Sequence, residues 1–209
     1  MSEREDILKR YVDLLREVDL WFASCIERYP GQITCTGGCS SCCRGLFDIT
    51  LLDAELLRSG YHTLPKAVQM VVAGKAALRI AGIRAIWPDF EPPYLLNKYP
   101  EEEWSQIMPE EDSTPCLLLD SHGFCTLYAY RPLTCRLHGL PLVELSGEVM
   151  DESYCPLNFT EQDPFECNEL RADFSVIFNK ETRLIAEFTA FLIGVETAQM
   201  DTLIPAALL

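Results

Sequence analysis

The sequence is short of positive charge. Lys and Arg together number 17 of 209 residues against 32 Asp and Glu, for a formal net charge of −15. A surface so rich in carboxylates lacks the clustered cations that phosphate binding needs, which argues against nucleic acid and anionic lipid as partners. Any charged partner is instead expected to present a basic protein surface. No window approaches 18 uninterrupted apolar residues, so no membrane-spanning helix is expected. The opening residues, Met1-Ser-Glu-Arg-Glu-Asp-Ile-Leu-Lys-Arg10, lack the apolar core of a secretory signal, and the expected location is cytoplasmic. There is no internal repeat and no low-complexity tract. Glycine-rich nucleotide loops are missing too: the only adjacent glycines, Gly37-Gly38, lie among cysteines. Nothing gathers Ser, His and acid into a hydrolytic set.

Cysteine, by contrast, is abundant. There are ten, in a chain that is 48% hydrophobic and long enough to bury a core without disulfides. In a reducing compartment clustered cysteines point to bound metal. Four stand as C-x3-C-x2-C-C (Cys35, Cys39, Cys42, Cys43), and four more follow at Cys116, Cys125, Cys135 and Cys155. A first pair spaced by a tight turn aims both sulfurs at one ion, and Gly37 and Gly38 supply the bend. Adjacent Cys42 and Cys43 cannot easily serve the same ion, because neighbouring side chains in extended backbone point to opposite faces. Either two sites exist, or one cluster plus a spare thiol; eight thiolates would fill two four-coordinate sites. Cys25 and Cys167 read as small core residues. Of the three histidines, His62 and His122 read as turn residues. His138, close after Cys135, could be a ligand, a donor to one, or a proton carrier.

The pattern predicts a single domain over 1–209, mainly α with small β-hairpins, in which a helical frame surrounds a metal- or cluster-stapled cysteine-rich core. A helix is expected over 5–29, where apolar residues recur every three or four positions before Pro30-Gly31. Thr50-Leu-Leu-Asp53 reads as a capping box opening a helix to Gly60, and a longer helix follows from Ala67 to about Trp87. Residues 88–115 hold six prolines and two acidic clusters, Glu101–Glu103 and Glu110–Asp112, and read as a solvated connection. Residues 116–156 read as short β-elements, with hairpin turns at Ser121-His-Gly123 and Ser146-Gly147. A helical segment is expected over 165–195, and the apolar tail 202–209 must dock somewhere. Joining the two cysteine segments closes a loop of 72 residues (44–115), an entropic cost that metal–thiolate bonds could offset.

The ordered residues around these cysteines resemble the YkgJ-type cysteine-cluster family, the CxxCxxCC zinc- or iron-chelating proteins often labelled flagellin N-methylase-like. The family pattern is an N-terminal run matched by Cys35, Cys39, Cys42 and Cys43, followed by a block matched by Pro115-Cys116-Leu-Leu-Leu-Asp120, Gly123-Phe-Cys125-Thr-Leu-Tyr128 and Arg131-Pro-Leu-Thr-Cys135-Arg136. Cys155 matches a late cysteine, and the likeness spans about 32–158. The first spacing here is three residues where the family more often has two, and Leu137-His138 departs from its usual aromatic. The resemblance implies a zinc or iron ion, or a 4Fe-4S cluster, held by these eight cysteines. Arg44, Arg131 and Arg136 beside them could offset thiolate charge.

Three functions follow as expectations. The first is a metal-binding protein whose eight thiolates tie two loops together. The second is a cluster-dependent protein-lysine N-methylase, and the third a thiol redox sensor or metal carrier. Cys35, Cys39 and Cys42 have the spacing seen in radical S-adenosylmethionine enzymes, but that motif follows the first strand of a β/α barrel, which this helical pattern does not supply.

Overall fold

The computed structural model describes residues 2–109 and 111–209; Glu110 of the second acidic cluster and Met1 lie outside the described residues. Five α-helices are present among the described residues: α1 (Glu3–Arg28), α2 (Leu51–Tyr61), α3 (Lys66–Ile86), α4 (Leu133–Leu137) and α5 (Phe174–Ile193). Two small antiparallel sheets complete the frame. One pairs β1 (Asp48–Thr50) with β4 (Asp201–Leu203), and the other pairs β2 (Leu142–Val143) with β3 (Val149–Asp151). The expected mainly α fold with small β-hairpins is therefore what the chain adopts. No helix is long and apolar enough to cross a membrane among the described residues.

Local chemistry explains the helix starts. Ser2 accepts from the Glu5 amide at 3.2 Å while the Glu5 carboxylate accepts from the Ser2 amide at 2.7 Å, closing a capping box at α1. The stripe Ile7, Tyr11, Leu14, Leu15 and Val18 is buried, and α1 packs on α5, where Trp21 meets Phe174 edge-on at 5.0 Å between centroids. The C-terminal helix starts at Phe174, capped by the Asp173 carboxylate, because Pro164 and extended residues 171–172 interrupt it earlier; residues 164–170 form two 3-10 turns instead. The apolar tail docks: β4 pairs with β1, and Ile204, Ala207 and Leu208 fill the cluster that also holds Leu57 and Val72.

Asp53 does more than cap α2. Besides its contacts with Thr50, its buried carboxylate accepts from the Tyr11 hydroxyl at 2.6 Å and from the Leu133 amide at 3.2 Å, joining α1, α2 and the start of α4. Asp53→Ala leaves two buried donors unpaired and is expected to cost about 2–4 kcal/mol, read as a lowered urea midpoint; Asp53→Asn should cost less.

A second carboxyl lies nearby, on α5. Glu181 faces a 270 Å³ cavity with Asp53 of α2, Asp201 of β4, Asp48 of β1, and His138 and Asp151 from the 138–151 segment. Burial, with Asp53 and Asp201 adding repulsion, pushes Glu181 up to about 8. The folded chain therefore holds a proton here that the unfolded chain has released, so this group lowers stability as pH rises from about 4.5 to 8. Glu181→Gln should leave stability at pH 4 unchanged and raise it by about 1–3 kcal/mol at pH 9, measured by denaturant melts at both pH values.

Candidate metal centre

The two cysteine segments meet through their backbones. Cys116 N–H donates to the Cys43 carbonyl at 2.9 Å, Gly45 N–H to Thr114 O at 2.8 Å, and Arg44 bridges Pro115. The 72-residue loop is thus held at its neck by main-chain hydrogen bonds and by the apolar cluster behind them, not by thiols alone. The second segment differs from the expected β-elements. An isolated bridge joins Leu119 to Cys125, and the Asp120 carboxylate accepts from the His122 and Phe124 amides at 2.8 and 2.9 Å. A 3-10 turn over Tyr128–Tyr130 and the short helix α4, which carries Cys135, then follow. Only the hairpin at Ser146-Gly147 forms a strand pair, with Gly147 at φ +92°.

These elements surround a cavity of about 620 Å³ lined by Cys35, Cys39, Cys42, Cys43, Cys116, Cys125 and Cys135. The eighth cysteine, Cys155, is outside that lining but within electrostatic reach of Cys35. All ten cysteines are free thiols. Cys39 and Cys42 are exposed, while Cys35, Cys43, Cys116, Cys125, Cys135 and Cys155 are half-buried. Cys25 and Cys167 are buried in a separate apolar cluster with Ile33 and Leu170. Among the described residues, no three Cys, His, Asp or Glu side chains stand as close together as a bound ion requires.

The thiols sort into two neighbourhoods. Cys35 is acted on by Cys155, Cys39 and Cys42; Cys43 by Cys116, Cys135 and Cys125. The two sets meet at the sequence neighbours Cys42 and Cys43, whose interaction raises Cys42 and lowers Cys43, making Cys43 the more acidic of the two. Burial pushes up Cys35, Cys116, Cys125 and Cys135. The second set packs against the apolar cluster of Ile49, Leu57 and Leu127, whereas Cys35 packs against that of Ile33 and Phe159.

Of the three arginines, Arg44 is outside the cavity lining and Arg136, though part of it, is spent on the backbone, which leaves Arg131 to face the thiols. It stacks 3.7 Å over Tyr128, approaches Asp19 at 3.6 Å, and favours the thiolate forms of Cys42, Cys125 and Cys135. Arg44 points away, to the Ser113 carbonyl at 3.5 Å. Arg136 is committed to the backbone: Nε donates to Arg131 O at 2.9 Å and Nη2 to Ala129 O at 3.1 Å, and Nη1 pairs with Asp19. It therefore shapes the turn that carries Cys135. His138 lines the rim, its ring edge-on to Phe47 at 5.4 Å. His62 and His122 are exposed and line neither cavity.

One residue with a clear role at the site carried no signal in the sequence. Asn158 is buried; its amide nitrogen donates to Gly139 O at 2.7 Å and to Cys35 Sγ at 3.4 Å, and its oxygen accepts from Thr34 N at 2.8 Å. It holds Cys35 against the 139–155 segment, where Gly139, at φ +113°, leaves 3.1 Å between the Cys35 sulfur and the place a Cβ would occupy. A lone Asn three residues beyond the last clustered cysteine has no distinguishing spacing.

The donor set fits a thiophilic metal: eight free thiols, one guanidinium facing them, and an amide N–H aimed at sulfur. A family model, CxxCxxCC, described as "Putative zinc- or iron-chelating domain", matches residues 34–156. No curated protein and no solved structure matches the chain.

Proposed function

Because the chain belongs to the CxxCxxCC family of zinc- or iron-chelating domains, we propose that its eight cysteines hold metal in two separate four-thiolate centres. The outer centre is Cys35, Cys39, Cys42 and Cys155; the inner is Cys43, Cys116, Cys125 and Cys135. The observation that carries this reading is one of packing: Cys116, Cys125 and Cys135 lie against the apolar cluster of Ile49, Leu57 and Leu127, with the Cys116 amide on the Cys43 carbonyl, whereas Cys35 lies against that of Ile33 and Phe159, beside Gly139, whose carbonyl accepts the Cys155 amide at 3.3 Å. Four thiolates around a divalent ion carry a net charge of about −2. Arg131, near members of both sets, offsets part of it, and the Asn158 amide supplies a hydrogen bond to Cys35 sulfur. The inner centre would link the 43–45 segment to α4, and the outer centre would link the 35–42 loop to the segment ending at Cys155. The role is that of a staple, drawing together loops that have little secondary structure of their own.

Bound zinc or iron would supply this cross-linking, and iron or a 4Fe-4S cluster would add an electron-transfer capacity. Elemental analysis and visible absorption of anaerobically purified chain test the reading together. A colourless protein with about two zinc ions per chain supports a zinc staple, and sulfur-to-iron absorption supports iron. A fully reduced chain purified without either metal, and taking up neither on titration, contradicts both.

The centres should also differ in lability, because Cys39 and Cys42 are exposed and no inner-set thiol is. Chelator-driven metal release is expected to be biphasic, with the outer centre emptying first. Asn158→Leu should speed the fast phase several-fold and leave the slow phase unchanged; equal acceleration of both phases would contradict the division.

A further inference from the structure

The longest stretch without acidic residues lies in the first half of the chain. The 33 residues Leu56 to Pro88 contain no Asp or Glu and five Lys or Arg, in a sequence with 32 acids. Most of this stretch is α3. Its inner side, Val72, Ala76, Ile80 and Ile83, is buried. The opposite side presents Met70, Val71 and Leu78 at 75%, 58% and 77% exposure. At positions 74 and 82 a Cβ would meet nothing within 4 Å, so no other part of the described chain lies over this face.

Helical periodicity puts cations along both margins of the apolar strip, Lys75 and Arg79 on one side and Lys66 and Arg84 on the other. Arg79 is paired with Asp112, and Arg84 with Glu91 at 2.9 Å. Lys75 donates to the Leu117 and Leu119 carbonyls at 3.3 and 3.0 Å, and Lys66 to Gln69 at 3.1 Å, so both keep an uncompensated charge among the described residues. Lys75, Leu78 and Arg79 also line an open groove of about 650 Å³ whose far wall includes Arg44, Pro115 and Leu117.

We propose that the outer face of α3 and this groove dock an acidic amphipathic helix of another protein. An apolar strip edged with cations is complementary to an apolar strip edged with carboxylates. A second copy of the chain is the poorer occupant, because two α3 faces would set cations against cations. A bilayer is poorer too: the strip has no Trp or Phe to insert, and the chain as a whole repels anionic lipid. The net charge of −15 does not forbid an acidic partner, since at physiological ionic strength charges beyond about 8 Å are screened and the local cations dominate. Cys116 borders the same groove, so a docked helix would lie against one wall of the thiol cavity. The proposal stands whether or not metal is bound there.

The test uses the full chain and a fluorescein-labelled synthetic helix with a Leu stripe and Glu margins, followed by anisotropy, with the same peptide carrying Lys for Glu as control. The Glu peptide should bind, more weakly as salt is raised, and the Lys peptide should not. Leu78→Glu and Met70→Glu alter exposed side chains that bond nothing else among the described residues, so circular dichroism should match the parent chain while affinity for the Glu peptide falls at least tenfold. Absence of binding, equal binding of both peptides, or indifference to both substitutions overturns the proposal. So does Leu78-dependent dimerisation in sedimentation, or Leu78-dependent binding to vesicles containing anionic lipid.

Discussion

Replacing Cys43 by serine is expected to remove about half of the bound metal and to destabilise the chain far more than replacing Cys42. Cys43 shares the cavity with Cys116, Cys125 and Cys135, and its carbonyl accepts the Cys116 amide at 2.9 Å, so the proposed inner centre would sit at the neck of the long loop. Structural zinc in small domains contributes on the order of 10 kcal/mol of apparent binding energy; losing one of four thiolates should cost several kcal/mol and lower Tm markedly. Cys42→Ser is expected to take the other half of the metal, from a centre on the exposed loop, with a smaller fall in Tm. The double variant should bind none. Metal per chain and thermal melts read all three. If either single substitution removed all the metal, the thiols would form one interdependent centre and the division into two would be wrong.

Arg136→Ala should destabilise the chain by about 2–4 kcal/mol even though Arg136 is tied to the backbone and not to a thiol. Arg136 is 7% exposed and is bonded to the carbonyls of Ala129 and Arg131 and to Asp19 of α1. Truncation leaves two carbonyls without their charged donor in the turn that leads into Cys135. Arg136→Lys keeps the charge but cannot span both carbonyls and the carboxylate, so it should recover only part of the loss. Denaturant midpoints measure the effect. Metal content should fall with stability, since the proposed inner centre would depend on the path of residues 129–135. A loss of metal without a loss of stability would mean that Arg136 acts on the thiolates directly.

The helical frame was legible because its residues repeat. The α1 stripe, the Thr50 cap and the stop at Pro30-Gly31 are short-range signals that tertiary contacts did not override. Even so, the buried face of α1 includes Ile7 and Leu14, while the apolar Val12 and Ile26 are exposed, because α5 covers only part of the apolar arc. The cysteine segments have no period, and their shape depends on long-range hydrogen bonds between the 43–45 and 114–116 backbones and on side-chain caps such as Asp120. Residues 133–137 form a helix within a stretch that reads as β because Pro132 starts the turn and the Asp53 carboxylate, 80 positions earlier, accepts the Leu133 amide. Spacing marked eight cysteines as one constellation, and the fold places seven of them around one cavity, with Cys42 and Cys43 interacting where extended backbone would turn them to opposite faces. How the distant four divide between two neighbourhoods depends on the fold, as does the role of Asn158.

The most direct test of the account is X-ray absorption at the edge of whichever metal the anaerobically purified chain contains. Two four-thiolate centres predict a first shell of sulfur alone, about four per metal ion, at roughly 2.3 Å, retained in each single variant at half the metal content. A shell dominated by nitrogen or oxygen would contradict it.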